Sequence, residues 1–291
     1  MAYLELSIEL GELDPEVAEA ALLHAGALSV TFSDAADQAV FEPRPGELRL
    51  WPRTRLQALY EARLADAQLI ATLAAAIGIE AARISARSIA DRVWEREWLR
   101  DFHALRFGRR LWVCPRHERV EQADAVVVQL DPGLAFGTGA HPSTALCLQW
   151  LERTPLAGRQ VVDYGCGSGV LAIAALKLGA RHACAFDIDP QALLATGDNA
   201  LSNGVAERLQ LCERAQDLAP QCDVLLANIL ADILIAQRAE LAALVRPGGL
   251  ALLAGILTEQ QAEVASAFLK WFDMAPFATA DGWVALAGTR C

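Results

Sequence analysis

The chain opens on a strict alternation. Leu4, Leu6, Ile8 and Leu10 share one face of the segment from Tyr3 to Leu10, the period-two pattern of a half-buried strand. Asp14 and Pro15 read as the cap and first-turn proline of a helix that runs to about Gly26. Leu28 to Phe32 predicts a second strand. Val40-Phe41 and Leu48 to Trp51 predict short extended pieces on either side of a turn built from Pro43, Pro45 and Gly46. An Ala- and Leu-rich stretch from about Leu56 to Ile77 predicts a helix, and Arg83 to Ile89 a last strand. The order β-α-β-β-α-β describes a small N-terminal ferredoxin-like α+β domain over residues 1–90. Nothing in it carries catalytic chemistry, which leaves it the work of binding a partner.

Residues 91–107 have a different texture. Trp94, Trp98, Phe102 and Phe107 recur among Arg92, Glu95, Arg96, Glu97, Arg100, Asp101 and Arg106, which predicts a helical linker packed on one side. Interleaved arginines and aromatics also occur in RNA-binding segments, but here acids match the bases, which favours packing. Over 108–291 strands alternate with helices. Leu111 to Cys114 and Ala125 to Leu130 are strands, and Ala145 to Leu151 is an apolar helix. Strands at Val161 to Tyr164, His182 to Phe186, Arg208 to Cys212 and Cys222 to Leu230 follow, the first two of them each leading into a helix. A helix from Ile233 to Val245, a strand from Leu250 to Ile256, a helix from Glu259 to Trp271 and a strand from Trp283 to Gly288 complete the series. That alternation predicts an α/β domain with a parallel, doubly wound, Rossmann-like sheet.

Two stretches in this domain carry the chemistry. The first is Val161-Val162-Asp163-Tyr164-Gly165-Cys166-Gly167-Ser168-Gly169-Val170, a strand running through a glycine-dense turn into a helix. Glycines there permit positive φ and let a ligand lie against bare backbone. The dinucleotide fingerprint would need a glycine at 170, where Val stands, and no lysine follows to hold phosphates. Asp163 at the strand end repels a pyrophosphate and suits a cationic ligand such as an ammonium or sulfonium. Asp187, at the tip of the next strand, is placed to accept both hydroxyls of a ribose, while Asp189 and Pro190 read as a helix cap and first turn. The second stretch, Asp131 to Thr144, holds three glycines, two prolines and three hydroxyl side chains before an apolar helix. Ser143 or Thr144 is expected to cap that helix, whose free amides suit a carboxylate, and His141 to fix the loop. Asn228 ends an apolar strand at the carboxyl edge of the sheet, where its amide oxygen can accept a hydrogen bond from an incoming amine.

Composition narrows the partners. The chain of 291 residues is 54% hydrophobic and 21% charged, a globular balance with room for two domains. A net charge of −11 opposes a general phosphate-binding surface and suits a basic partner. Seven cysteines, an odd number with no C-x-x-C, read as reduced thiols in a cytoplasmic protein, not a disulfide framework. Cys166 has no His or Asn placed to activate it as a nucleophile. Residues 1–5 lack the basic and apolar regions of a signal peptide, and no apolar run approaches the ~18 residues of a membrane span. The expectation is a soluble cytoplasmic protein without membrane contact.

With these motifs the chain resembles the class I S-adenosylmethionine-dependent methyltransferases. More narrowly, it resembles the bacterial family that methylates large-subunit ribosomal protein eleven. The resemblance rests on D-P-G-L-A-F-G-T-G-A-H-P-S-T from Asp131, D-Y-G-C-G-S-G from Asp163, D-I-D-P from Asp187 and A-N-I-L-A from Ala227, and extends through the W-E-R-E-W run at Trp94 to Trp98. It implies a protein N-methyltransferase that takes methyl groups from S-adenosylmethionine, leaves S-adenosylhomocysteine and uses no metal. Thr144, Gly165, Gly167, Asp187 and Asn228 would hold the donor, with Phe136 and Gly137 closing over it, and Asn228 would also position the amine. The substrate implied is a basic ribosomal protein, modified on lysine side chains and on its N-terminal α-amine, with the prefix domain recognising it and no nucleic-acid specificity. Ala140 and Ser143 stand where that family more usually has Thr; Ser143 keeps the hydroxyl and Ala140 loses one.

Overall fold

The computed structural model describes residues 3–35, 52–61, 67–89, 103–130, 139–218 and 220–291. These fall into two compact units, Met1–Trp94 and Glu95–Cys291.

The first unit contains β1 (Tyr3–Glu9), α1 (Pro15–His24), β2 (Ser29–Asp34), β3 (Thr54–Glu61), α2 (Ala67–Ile77) and β4 (Ile84–Ile89). Its four strands pair antiparallel in the order β2-β3-β1-β4, the ferredoxin-like arrangement. Asp14 caps α1 by accepting from the amides of Glu16 and Val17, as the Asp-Pro pair predicts. One expectation is corrected. Residues 56–61 form not the start of a helix but the end of β3, which alternates along its length with Thr54, Leu56, Ala58 and Tyr60 inward. Ala and Leu favour a helix, but the period of two buries one whole face in a core shared with Leu22 and Leu73, and tertiary packing overrides the propensity. The extended pieces expected at 40–41 and 48–51 lie outside the described residues. Leu6, Ile8, Leu22, Leu56, Tyr60 and Leu73 form the core, and the Tyr60 hydroxyl donates to the carbonyl of Leu22 at 3.1 Å.

The second unit begins with a three-stranded sheet, β5 (Leu105–Phe107), β6 (Leu111–Cys114) and β7 (Val126–Gln129). The helical linker expected over 91–107 does not cover its last residues: 105–107 pair with 111–113 as a strand. Its Trp94, Trp98 and Phe102 lie outside the described residues. There follow α3 (Pro142–Arg153), β8 (Gln160–Tyr164), α4 (Val170–Lys177), β9 (His182–Phe186), α5 (Pro190–Ser202), β10 (Leu209–Cys212) and β11 (Cys222–Asn228). The chain ends with α6 (Ala231–Ala236), α7 (Arg238–Leu244), β12 (Val245–Leu257), α8 (Gln261–Phe268), β13 (Phe272–Ala280) and β14 (Trp283–Arg290). The single helix expected from 233 to 245 is two helices that meet at Gln237.

Seven of these strands form one sheet in the order β10-β9-β8-β11-β12-β14-β13. The five from β10 to β12 are parallel, as the strand–helix alternation predicts. β14 runs antiparallel to both of its neighbours, so the sheet is not wholly parallel. β13 is absent from the sequence reading for a physical reason. It is an edge strand that carries Pro276 at a register shift, and edges and bulges are where a sheet tolerates proline. Strand order reverses between β8 and β11, and at such a switch point the carboxyl ends of the strands open a crevice. The helix after β8 is buried all round. Val170 to Leu176 are all buried, and α4 packs against β7, β8, β9, α3 and α5.

Ala174 is fully buried in this layer. Ala174→Leu is expected to overpack this layer and lower unfolding stability by about 1–3 kcal/mol, read as a fall in the urea midpoint at unchanged slope.

Candidate functional site

The site is assembled where β8 ends. Gly165, Gly167 and Gly169 all have positive φ, at 82°, 53° and 78°. Along the turn, Gly165 and Gly167 keep partial exposure while Cys166 and Ser168 are buried. The turn is pinned to β9 because the amides of Gly165 and Cys166 both donate to the carbonyl of Phe186, at 2.8 and 3.0 Å. A second set of pins comes from one face of α5. Thr196 Oγ1 donates to the carbonyl of Gly167, and Asn199 Nδ2 donates to that of Ser168, each at 2.9 Å. Thr196 also fills the space beside Gly169, where a methyl group would lie 2.6 Å from its Cγ2. Sequence reasoning missed both residues. Their only signal is a spacing of three on a helix that follows the motif, and that says nothing until the fold brings α5 against the turn.

Asp187 stands at the tip of β9, half-buried, with both carboxylate oxygens engaged. Oδ2 accepts from the amide of Gly167 at 2.9 Å and Oδ1 from that of Asp189 at 3.0 Å. Each oxygen has a second lone-pair direction, so the group is oriented and still able to accept two hydroxyls. Asp189 caps α5 through the amide of Gln191 at 2.9 Å, with Pro190 behind it, as the sequence predicts.

Asp163 is fully buried. Its Oδ2 accepts from the amide of Ala172 at 3.0 Å, while Oδ1 has no hydrogen-bond partner. Burial, reinforced by the neighbouring charge of Asp187 and opposed by the Ala172 amide, pushes this carboxyl up to about 7. Burial, reinforced by the charge of Asp163, also pushes up the thiol of Cys166, which keeps it protonated. That disposes of Cys166 as a nucleophile.

On the other side of the switch point, Asn228 ends β11. Its Nδ2 donates to Thr144 Oγ1 at 3.2 Å, a contact between residues 84 positions apart. Thr144 lies in the first turn of α3 and is 1% exposed. Among the described residues the amide oxygen of Asn228 makes no bond. The cap of α3 is neither Ser143 nor Thr144, as expected from sequence, but His141. Pro142 fixes the first helical position, and the amide of Ser143 donates to His141 Nδ1 at 3.3 Å. Ser143 Oγ lies 2.8 Å from the same nitrogen, and the ring stands edge-on to Trp283 with centroids 4.7 Å apart. An acceptor role at Nδ1 places the proton of the neutral ring on Nε2. Burial pulls the pKa of His141 below its ordinary value. The structure thus joins Thr144 to Asn228, Gly165 to Phe186 and Gly167 to Asp187 around one switch point. Phe136 and Gly137 lie outside the described residues. Among the described residues no group of three or more His, Cys, Asp or Glu is placed to hold a metal, and no helix is long and apolar enough to cross a membrane.

Known proteins resemble this chain over its whole length. The family model for ribosomal protein L11 methyltransferase (PrmA) matches residues 2–291. Ribosomal protein L11 methyltransferase of Pseudomonas paraeruginosa is 50% identical over 291 residues, covering 100% of this chain and 99% of the relative. The protein of the same description from Pseudomonas putida is also 50% identical, with 100% of both chains covered. Among solved structures, ribosomal protein L11 methylase from Lactobacillus delbrueckii subsp. bulgaricus superimposes with a TM-score of 0.60 at 33% identity, covering 65% of this chain and 99% of that one.

The orphaned carboxyl has a pH signature. A folded-state pKa raised above its unfolded value means that the folded protein binds the extra proton, so stability falls as pH rises from about 4 through about 7. Asp163→Asn keeps the acceptor for Ala172 and removes the titration. Urea midpoints of the ligand-free variant should lose this fall across pH 4–7 and equal or exceed those of the wild type at pH 8. A slope identical to that of the wild type would mean that Asp163 does not titrate in this range.

Proposed function

This chain belongs to the ribosomal protein L11 methyltransferase family, and on that premise we propose that it transfers methyl groups from S-adenosylmethionine to amines of ribosomal protein L11. The acceptors are lysine side chains and the N-terminal α-amine. The observation that carries the reading is the convergence of a bare glycine turn, an oriented Asp187 and the Thr144–Asn228 pair at the switch point of a class I methyltransferase sheet.

The residues fit the donor. An unpartnered buried acceptor on Asp163 suits a cationic ligand, the half-exposed Gly165 and Gly167 let it approach the backbone, and Asp187 keeps acceptor capacity for a ribose diol. Phe136 and Gly137, expected to close over it, remain assigned by resemblance. When bound, S-adenosylmethionine supplies an electrophilic methyl group on a sulfonium, and S-adenosylhomocysteine leaves.

The chain's own part is orientation. Because Asn228 Nδ2 is held by Thr144, its amide oxygen is the group left to accept a hydrogen bond from the incoming amine and align its lone pair. An amine must be neutral to attack, and lysine has a reference pKa of ~10.4, so desolvation of the site favours the reactive form. His141 is not the base that takes the proton: its acceptor nitrogen is committed to the α3 cap, and the proton passes to water. Positioning of this kind supplies much of the rate when the leaving group is already good.

The ferredoxin-like unit serves as the substrate-recognition domain, because it folds on its own core and holds no part of the site described above. The net charge of −11 suits a basic ribosomal protein and opposes nucleic acid as the substrate. The reaction belongs to the cytoplasm, where ribosomal proteins are made.

Transfer of labelled methyl groups into purified ribosomal proteins tests the reading. Wild-type protein should label ribosomal protein L11. Asn228→Ala should lower kcat by about 10²-fold through lost alignment, and Asp187→Ala should weaken donor binding measured by calorimetry. Label confined to RNA, or tight donor binding with no transfer to any protein, would refute the substrate class.

A further inference from the structure

We propose that Ile229 is a positioning residue for methyl transfer, wedged between the glycine that ends β8 and the glycine at the bulge of β12, so that Asn228 is held against Thr144. The proposal rests on the assignment of Asn228 as the residue that orients the amine.

The register of the sheet sets up the wedge. Asn228, the last residue of β11, pairs with Ala254 of β12. The next residue of β12 is Gly255, with φ of 78°, and there the pairing of β12 with β14 slips between Leu253 and Ile256. A left-handed glycine at a register shift is the geometry of a bulge that bends a strand and opens room beside it. Ile229 occupies that room. A methyl group on Gly255 would overlap the carbonyl oxygen of Ile229 and lie 2.9 Å from its carbonyl carbon and 3.1 Å from its nitrogen. These are backbone atoms, which cannot rotate away.

The opposite side of Ile229 meets the donor turn. A methyl group on Gly165, with φ of 82°, would overlap Cγ2 of Ile229, and both atoms that it would meet within 4 Å belong to that side chain. The chain leaving Asn228 is therefore clamped, its peptide against Gly255 and its side chain against Gly165. Both contacts need a residue without Cβ. Among the described residues the side chain of Asn228 makes one hydrogen bond, the 3.2 Å contact with Thr144. A single hydrogen bond leaves a side chain some freedom, and the clamp on the following residue removes it. Ile229 is only half-buried, at the margin of a core built by other residues, so packing alone is a weak reason for its placement.

The test uses the full chain with Ile229→Ala, Ile229→Val and Asn228→Ala. The readouts are kcat and KM on ribosomal protein L11, the S-adenosylmethionine Kd from calorimetry, and urea unfolding. Ile229→Ala should lower kcat by about 10- to 100-fold with KM and donor Kd within about threefold, the pattern of an alignment lost in the transition state. Ile229→Val keeps a γ-methyl against Gly165 and should recover kcat to within about threefold of the wild type. Wild-type kcat in Ile229→Ala, a valine variant as slow as the alanine variant, or a loss that only tracks the unfolded fraction would each overturn the proposal. Asn228→Ala separates the two readings. If it is slow while Ile229→Ala is fast, only the wedge fails. If it turns over at the wild-type rate, the assignment of Asn228 fails and the wedge with it.

Discussion

The site depends on the parallel pairing of β8 with β9 on one side and β11 on the other. Register fixes the heights: Tyr164 lies beside Phe186, and Asp163 beside both Ala185 and Leu226. Because the three strands end at nearly the same level, the loops that leave them meet. The β8 turn donates its first two hydrogen bonds to the last carbonyl of β9, and Asp187 reaches back to that turn one residue later. A one-residue slip of β8 would point Asp163 to the opposite face and break both links at once. The buried helix that follows, covered on all sides, leaves β8 no freedom to slip.

The glycines translate that register into a site. Positive φ at 165, 167 and 169 curls the chain around the strand end, and each turn residue is then held by something distant in sequence: Phe186, Asp187, Thr196 or Asn199. Such a turn presents backbone to a ligand without collapsing onto the space it needs. The same logic recurs at Gly255, where a missing Cβ admits the peptide that leaves Asn228. Positive φ and close packing, against side chains of Ile229 and Thr196 at 165 and 169 and against the Ile229 backbone at 255, are the reasons for glycine at these positions.

How much of this is legible in the sequence follows from which interactions are local. The alternation of β1, the Asp-Pro caps of α1 and α5, the glycine turn and the acid at the tip of β9 are each specified within a few residues and can be read directly. β3 and β13 defeat the reading because their composition argues against strands. One carries the helix formers Arg55, Leu56, Gln57, Ala58 and Leu59 and the other carries Pro276, and only pairing with distant neighbours decides both. His141 is a further case. Ser143 and Thr144 are better caps by propensity, but Pro142 fixes the first helical position and moves the cap to the residue before it. Thr196, Asn199 and Ile229 act across the fold, so their roles exist only once the sheet is assembled.

The buried carboxyl of Asp163 shows why such a site is stable enough to fold and unstable enough to bind. A fully buried acceptor with one oxygen unpaired raises the free energy of the ligand-free protein, and its elevated pKa expresses that cost as proton uptake. A neutral or better-packed residue at this position would favour folding and would offer nothing to a cation. Binding of a positively charged ligand near the carboxyl favours its ionised form and relieves the penalty, so ligand affinity and fold stability rise together. Asp187 differs in that both of its oxygens are held by amides. The two acids of the motif thus differ in kind: Asp163 is buried with one oxygen unpaired, and Asp187 is oriented in advance by two amides.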